Sequence, residues 1–350
     1  MRDVTTSGNR RLQFGVLQFF SWSGRKVPLP SVYSRALERV DIMERSGLYE
    51  AVWLAEHHFT TYSVSPSVSV MGAMVAARTE RLRIGTAVSL APMYHPLRLA
   101  EEIALLDVLS GGRVNWGAGR GNDPGEFRVF GLDLERSYAL FRENVDVVLR
   151  AWREERLTYR GDFHTFEGIE VLPKPLQRPH PPVWLAASSP GAIAWAASAG
   201  HSILMDPHSS HSDIGAKYAA YREGLAAAGH PVEGRVIPMA RMVAVAPTDE
   251  EAREIALRGA RWTVSSMSDP ARRGYSRSIR PASSARTAER DPRSRVERYV
   301  DDVVIHGTPE RVAERIRALQ EEVGLHYLLC APLGHGSFVR FTDEVIPKLV

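Results

Sequence analysis

Short apolar runs of five to seven residues alternate along this chain with longer stretches in which apolar side chains recur every three to four positions. Continuous apolar runs suit strands buried on both faces, and the longer period suits helices with one buried side. The alternation therefore predicts repeated βα units around a parallel sheet. Leu12 to Gln18 reads as the first strand, followed by a helix over Val32 to Ser46 that Gly47 stops. Ala51 to Ala55 and Leu82 to Ala87 are the next two strands, separated by a helix over Ser67 to Ala77. Pro96 opens a helix that runs to Leu109 and halts at Gly111-Gly112. Arg113 to Gly119 is the fourth strand, and Arg136 to Glu154 a long amphipathic helix. Leu157 to Leu172 breaks the rhythm with alternating, aromatic-rich residues around Gly161 and predicts a hairpin, from which Pro173 to Pro182 leads back. Strands over Val183 to Ala187, Ser202 to Met205 and Val236 to Ala246 then alternate with helices over Pro190 to Ala199, Ile214 to Ala228 and Asp249 to Arg261. A helix from Pro309 to Val323 and a strand from His326 to Cys330 complete eight strands. The predicted class is α/β: a single (β/α)8 TIM barrel spanning 1–350, with a small hairpin excursion and a long mobile loop after the seventh strand.

Length changes this picture little, because α/β barrels routinely use 350 residues as one unit. The single Cys330 cannot form an internal disulfide, and Met1 to Arg11 lacks the apolar core of a secretion signal, which together predict a reducing, cytoplasmic setting. No apolar run reaches the roughly 18 residues of a membrane helix. The net charge of +3 is local, since Ser265 to Arg295 holds eight Arg against three acids, a surplus of +5 that leaves the remainder at 3 − 5 = −2. That stretch is Ser, Pro and Arg with few apolar residues, so it reads as a mobile loop rather than a folded nucleic-acid face.

Chemistry gathers where strands end. Gln18, Phe19 and Phe20 follow the first strand, Glu56, His57 and His58 the second, Gly119 to Asn122 the fourth, Ser188 and Ser189 the fifth, and Asp206 the sixth. A parallel barrel brings those ends to one mouth. Neighbouring side chains of an extended segment point to opposite faces, so only one of His57 and His58 should enter that mouth while the other packs outward. Arg120 between two glycines, and Ser188 and Ser189 before a helix, have the makings of a phosphate site. Each also has a structural reading, as loop hydrogen bonds, a salt bridge or a strand terminus. A metal centre is disfavoured: adjacent imidazoles cannot share a strand face, and neither His-x-His nor His-Glu-x-x-His occurs.

Several blocks, in order, then match a known pattern: Trp53-Leu54-Ala55-Glu56-His57-His58-Phe59-Thr60, Ile84-Gly85-Thr86-Ala87, His95-Pro96, Leu105-Leu106-Asp107, Ser110-Gly111-Gly112-Arg113, Arg120-Gly121, Glu126-Phe127-Arg128-Val129-Phe130-Gly131 and Gly307-Thr308-Pro309-Glu310. Through them nearly the whole chain resembles the flavin-dependent bacterial luciferase-like monooxygenases, most closely the luciferase catalytic subunit. The resemblance implies a barrel that binds reduced FMN supplied by a separate flavin reductase and uses dioxygen to place one oxygen atom in an organic substrate. It implies His57 as the catalytic imidazole beside the flavin, with the acidic Glu126 near it. It further implies Arg120 as phosphate ligand, a cis peptide at Ala87-Val88 beneath the flavin ring, and the Arg-rich segment as a covering loop. Histidine, with an ordinary pKa of about 6.5, suits proton movement near neutral pH. Phe19, Phe20 and Trp53 are expected at the mouth, excluding water.

The departures are specific. Gly119 stands where luciferase has a reactive cysteine, Asp123 and Pro124 alter the following loop, and Ser188-Ser189 replace a Glu-Ser pair. The cofactor side is kept while the substrate side differs, so neither light emission nor a long-chain aldehyde substrate is implied. Two other readings use the same residues: a deazaflavin-dependent oxidoreductase on the same barrel, and a non-catalytic partner subunit, against which His57, Arg120 and Glu126 argue. The small residues of Met71 to Ala77 permit close helix approach and, with the family's interface at that place, imply a homodimer; their plainer use is packing against the barrel.

Overall fold

A computed structural model of the chain describes residues 11–267 and 293–350. Its strands are β1 (Gln13–Gln18), β2 (Ala51–Leu54), β3 (Arg83–Thr86), β4 (Ser89–Leu90), β5 (Val114–Gly119), β6 (Leu157–Arg160), β7 (Thr165–Ile169), β8 (Val183–Ala186), β9 (Ser202–Leu204), β10 (Pro238–Val245), β11 (Ile305–Gly307) and β12 (Tyr327–Pro332). Ten of them form one curled sheet in the order β11-β10-β12-β1-β2-β3-β5-β8-β9, with β4 beside β5. Every pairing in it is parallel. An isolated parallel bridge joins Met205, just past β9, to Met239 in β10. The expected hairpin is present as the antiparallel pair β6-β7, outside the sheet.

Successive side chains feed two apolar layers. Val16 and Val52 face the helices, whereas Leu17 and Trp53 join Leu204, Met242 and Leu329 on the inner side. The inner layer needs room for the Trp53 indole, which donates to the Tyr327 hydroxyl at 2.9 Å. Gly85 provides that room, since a Cβ there would lie 2.3 Å from the ring. Two blocks behind the resemblance prove to be fastenings beneath the strands. Arg113 donates to the carbonyls of Ser110, Leu82 and Thr79 at 2.6, 2.7 and 2.8 Å. The buried Asp107 carboxylate accepts from the backbone and side chain of Gln177, which secures the proline-rich return.

Element limits differ from expectation where proline and capping residues intervene. Helix α1 (Leu29–Ser46) begins three residues before Val32, because a proline in the first turn costs no hydrogen bond. Helix α2 is Val68–Ala76 and α3 is Pro96–Leu109. A short helix the pattern did not predict, α4 (Pro124–Val129), is started by the Asp123 side chain accepting from the Gly125 N–H at 2.8 Å. Helices α5 (Ser137–Arg153), α6 (Pro190–Ser198), α7 (His211–Ala227) and α8 (Asp249–Met267) follow. The loop expected over Ser265 to Arg295 falls mainly outside the described residues. Its described ends are helical: α8 runs on to Met267, and Ser294 caps a further helix, Arg295–Val303, through a capping box with Glu297. Beyond β12 the chain adds helical turns from His335 to Lys348 that the hydrophobic pattern did not predict.

Candidate active site

A cavity of about 260 Å³ lies at the C-terminal ends of the strands, near the lower edge of the ~300–1,000 Å³ typical of small-ligand clefts. Phe19, His57, Val88, Arg120, Ser188 and Asp206, each from just beyond a different strand, converge on it. Ala87, Gly119 and Ser189 line it as well, so of the eight residues expected to hold the cofactor or act on it, His57, Ala87, Val88, Gly119, Arg120, Ser188 and Ser189 are brought together. The eighth, Glu126, stands behind His57. Phe20 and Trp53, expected at the mouth, do not line the cavity; each lies on the packed face of its segment, fully buried. A second cavity of about 330 Å³ near Val245 and Leu333 has its arginines paired as Arg258–Glu254 and Arg340–Glu344, and it shares no lining residue with the first.

The two imidazoles divide as strand alternation requires. His57 lines the cavity, its ring stacked on Phe19 at 6.4 Å and edge-on to Tyr62 at 5.1 Å. His58 turns away, its Nε2 donating to Glu56 Oε1 at 3.1 Å and its ring packing on Phe130. Glu126, carried by α4, reaches His57 Nδ1 at 3.7 Å and accepts from the His58 backbone N–H at 2.9 Å. Burial pushes the Glu126 carboxyl upward, but the His57 imidazole and the N–H donor outweigh it, leaving the group below its ordinary value and ionised. Glu56 goes the other way. Its burial prevails over hydrogen bonds from His58 and the Tyr94 hydroxyl (2.9 Å) and raises its pKa. One carboxylate thus holds each imidazole, at different basicity.

Sequence reasoning missed the neighbouring wall. His208, in the loop after β9, lies between two tyrosines, with Nδ1 2.6 Å from the Tyr299 hydroxyl and Nε2 3.3 Å from that of Tyr62. Burial lowers its pKa to about 4, so it is neutral near pH 7. Asp206 fixes the loop by accepting from the backbone N–H groups of His208 and Ser209 and pairing with Lys217 at 2.9 Å. Nothing in the local sequence distinguishes His208 from a surface histidine; only the approach of the Arg295–Val303 helix does.

Part of the cavity lining is cationic. Arg120 donates to the Ser137 hydroxyl at 2.9 Å and lies over the Tyr138 ring at 4.2 Å. Ser189 caps α6, its hydroxyl accepting from the Ala192 N–H. Gly121 adopts φ +79°, open to glycine without strain, and lets the chain turn directly after Arg120. Gly119 leaves the space that Val88 fills, since a Cβ there would meet Val88 Cγ2 at 2.3 Å. The Ala87-Val88 peptide is cis. Arg142 joins this lining from α5, its guanidinium 5.2 Å over Trp195. The hydrophobic pattern gave no reason to separate it from the other charges of an amphipathic helix. Among the described residues no three His, Cys, Asp or Glu side chains cluster as metal ligands, and no helix is long and apolar enough to cross a membrane.

Comparison with known proteins follows the same lines. The chain is 37% identical over 203 residues to the uncharacterized protein y4wF of Sinorhizobium fredii, covering 58% of each chain. It is 32% identical over 178 residues to the oxygenase component of flavin-dependent trigonelline monooxygenase of Acinetobacter baylyi, covering 50% of this chain and 49% of the other. The matched part thus spans about half the length of these curated relatives. The alkanal monooxygenase alpha chain of the Kryptophanaron alfredi symbiont matches more extensively, 26% identical over 317 residues with 86% and 88% covered. Among solved structures, monooxygenase RslO1 of Streptomyces bottropensis superimposes with a TM-score of 0.82 at 26% identity, covering 97% and 100%. Two more share the fold. They are the FMN-bound oxygenating constituent of 3,6-diketocamphane monooxygenase of Pseudomonas putida (TM-score 0.80, 20% identity, 97% and 99% covered) and an F420-dependent secondary alcohol dehydrogenase (0.75, 19%, 97% and 98%). The family model for luciferase-like monooxygenases matches residues 12–326, a span that holds every strand but β12: the chain belongs to that family.

Proposed function

We propose that this chain is the oxygenase of a two-component flavin-dependent monooxygenase. It takes reduced FMN from a separate flavin reductase and, with dioxygen, transfers one oxygen atom to a small organic substrate. The observation that carries this reading is the make-up of one cavity, which is lined by His57 backed by Glu126, by Arg120, Ser188 and Ser189, and by the apolar Val88 and Leu185. These residues fit FMN. A guanidinium and a helix N-terminus suit a phosphate, and the apolar stretch suits a flat ring system. When bound, reduced FMN supplies the electrons that activate dioxygen. The protein's share is then to orient and shield. Arg120, Ser188 and Ser189 hold the phosphate, Phe19 and Tyr62 cover the imidazole from water, and His57 Nε2 holds or delivers a proton while Glu126 fixes Nδ1.

The reading takes the curled sheet as a closed (β/α)8 barrel, for which the Met205–Met239 bridge is the support. It places the protein in the cytoplasm, where reductase and reduced cofactor meet, with Cys330 a buried free thiol. It also takes the chain as a homodimer. Gly72 on α2 admits Leu106 of α3, to which an added Cβ would come within 2.7 Å, so this small residue serves packing within the chain. The outer side of the same pair still exposes Val70, Met74, Leu105, Val108 and Leu109, an apolar surface that a second copy would cover.

The test begins with anaerobic titration of the purified chain by reduced FMN and by a reduced deazaflavin, followed by oxygenation with a flavin reductase and a substrate panel scored by mass spectrometry. Preference for FMN and a product heavier by one oxygen is expected. Binding of the deazaflavin alone would assign the cavity to hydride transfer instead. Binding of neither would leave a partner subunit.

A further inference from the structure

His208 lines the cavity and is partly exposed, whereas Tyr299, to which it is bonded, does not line it. The loop that carries the imidazole is fixed. Asp206 accepts from the backbone N–H groups of His208 and Ser209 at 3.0 and 2.7 Å, and Lys217 donates both to Asp206 and to the Ser209 hydroxyl. The two ring contacts of His208 are unequal. Nδ1 lies 2.6 Å from the Tyr299 hydroxyl, shorter than the ~2.7–3.2 Å of N–H···O bonds and suited to an O–H donor. Nε2 lies 3.3 Å from the Tyr62 hydroxyl, beyond that range. Burial raises the Tyr299 pKa well above its ordinary value, so the phenol keeps a proton to give. A neutral imidazole carries one N–H. With Tyr299 donating to Nδ1, that N–H sits on Nε2, the nitrogen that faces the cavity-lining Tyr62, and its contact there is too long to hold it fast.

We infer that His208 is a substrate-binding residue whose Nε2–H donates to an acceptor oxygen of a neutral substrate, and that Tyr299 is the positioning residue that fixes the proton on that nitrogen. This rests on the reading of the cavity as the place of oxygen transfer. The surrounding wall selects the partner's chemistry. A substrate offering a donor finds no lone pair on His208, because Tyr299 takes Nδ1. An anion meets Asp206, which lines the same cavity; burial raises its pKa, but Lys217 and the hydrogen bonds of the loop outweigh burial and bring it to about 2, so it is ionised. Phe19 and Tyr62, edge-on to each other at 5.4 Å, add apolar ring surface. A carbonyl or ether oxygen on an apolar body satisfies all of these. Tyr62 also packs edge-on against His57 at 5.1 Å, so an oxygen held by His208 lies one tyrosine ring away from the imidazole assigned to proton movement.

The position of the proton is read first, by nitrogen NMR of histidine-labelled protein near pH 7, with His208→Gln to assign the resonance. His208 should be neutral with its proton on Nε2 in the wild type, and Tyr299→Phe should turn it into a mixture of both tautomers. A wild-type proton on Nδ1 would overturn the inference. Ligand binding is then followed on the same resonance, with and without FMN. The probes are cyclohexanone and acetophenone, set against methylenecyclohexane and α-methylstyrene, which have nearly the same shape and no oxygen. The ketones should shift the Nε2–H signal and the hydrocarbons should not. Dissociation constants for the ketones should weaken roughly 3- to 10-fold in His208→Leu, the loss of one neutral hydrogen bond, and by less in Tyr299→Phe, while those for the hydrocarbons stay within about twofold. Equal losses for ketone and hydrocarbon in Tyr299→Phe would make Tyr299 a packing residue only. Equal shifts from both probe classes, or none from either, would overturn the role of His208. Should the variants fail to fold, the wild-type tautomer and the contrast between ketone and hydrocarbon decide alone. If FMN does not bind while the ketones still shift the signal, the flavin reading fails and the donor at His208 stands.

Discussion

At residue scale the proposal turns on His57, Gly119 and their immediate neighbours. His57 lines the cavity and His58 does not, so His57→Ala should leave FMN binding within a few fold while lowering oxygenation about 100- to 10,000-fold, the range for a lost general acid or base. His58→Ala should retain far more activity, because that ring is engaged with Glu56. Equal activity of the two variants, in a coupled assay of product against FMN oxidised, would contradict the division of roles. Gly119 makes a different kind of statement. An added Cβ would approach Val88 Cγ2 at 2.3 Å and Ala186 Cβ at 3.4 Å, in a place with no flexible side-chain tip to yield. Gly119→Ala should therefore destabilise by about 1–3 kcal/mol, the usual cost of overpacking. Val88→Ala in the same chain should recover most of that loss, measured as a double-mutant cycle of melting curves. Additive losses would mean the two side chains do not compete.

At the scale of elements, the junction of β10 with α7 carries an acid-sensitive contact. Arg241 on β10 is fully buried and donates through Nε to His211 Nδ1 at 3.1 Å and through Nη1 to the Ala240 carbonyl at 2.9 Å. His211, the first residue of α7, must stay neutral to accept that bond. Burial first, and the Arg241 charge second, lower its pKa to about 3. The unfolded chain, with an ordinary value near 6.5, takes up the proton first, so the contribution is complete above about pH 6.5 and is lost as pH falls toward 3. Between pH 7 and pH 5 the loss should be about 2 kcal/mol. His208, lowered to about 4, adds a loss of the same sign. Melting temperature followed over this range should fall steeply in the wild type and less steeply in His211→Gln. Parallel slopes would show that His211 is not what acid attacks.

At the scale of the whole molecule, the exposed apolar side chains of α2 and α3 set the expected assembly. Sedimentation should give twice the 38.9 kDa chain mass at micromolar concentration, and Met74→Glu with Leu105→Glu should return it to a single chain. A wild type that sediments as one chain would refute the dimer.

The hydrophobic period alone determined the parallel αβ alternation, since strand and helix spacing is a property of consecutive residues. Strand alternation likewise separated His57 from His58, and the polar residues after strand ends foretold the mouth of the sheet. The family resemblance added Arg120, Glu126 and the cis position at Ala87-Val88. What these could not supply depends on distant segments meeting. His208 gains meaning only when Tyr299 and Tyr62, far from it in sequence, arrive on either side. Arg142 looks like any solvated charge until Trp195 comes beneath it. Trp53 and Phe20, which their positions placed at the mouth, were claimed by the packing of the inner and outer layers. Glu56 and Glu126 are identical in chemistry, and only their surroundings raise one and lower the other. Periodicity is local and survives in the sequence, whereas basicity, stacking and enclosure are set by neighbours that the chain brings together only on folding.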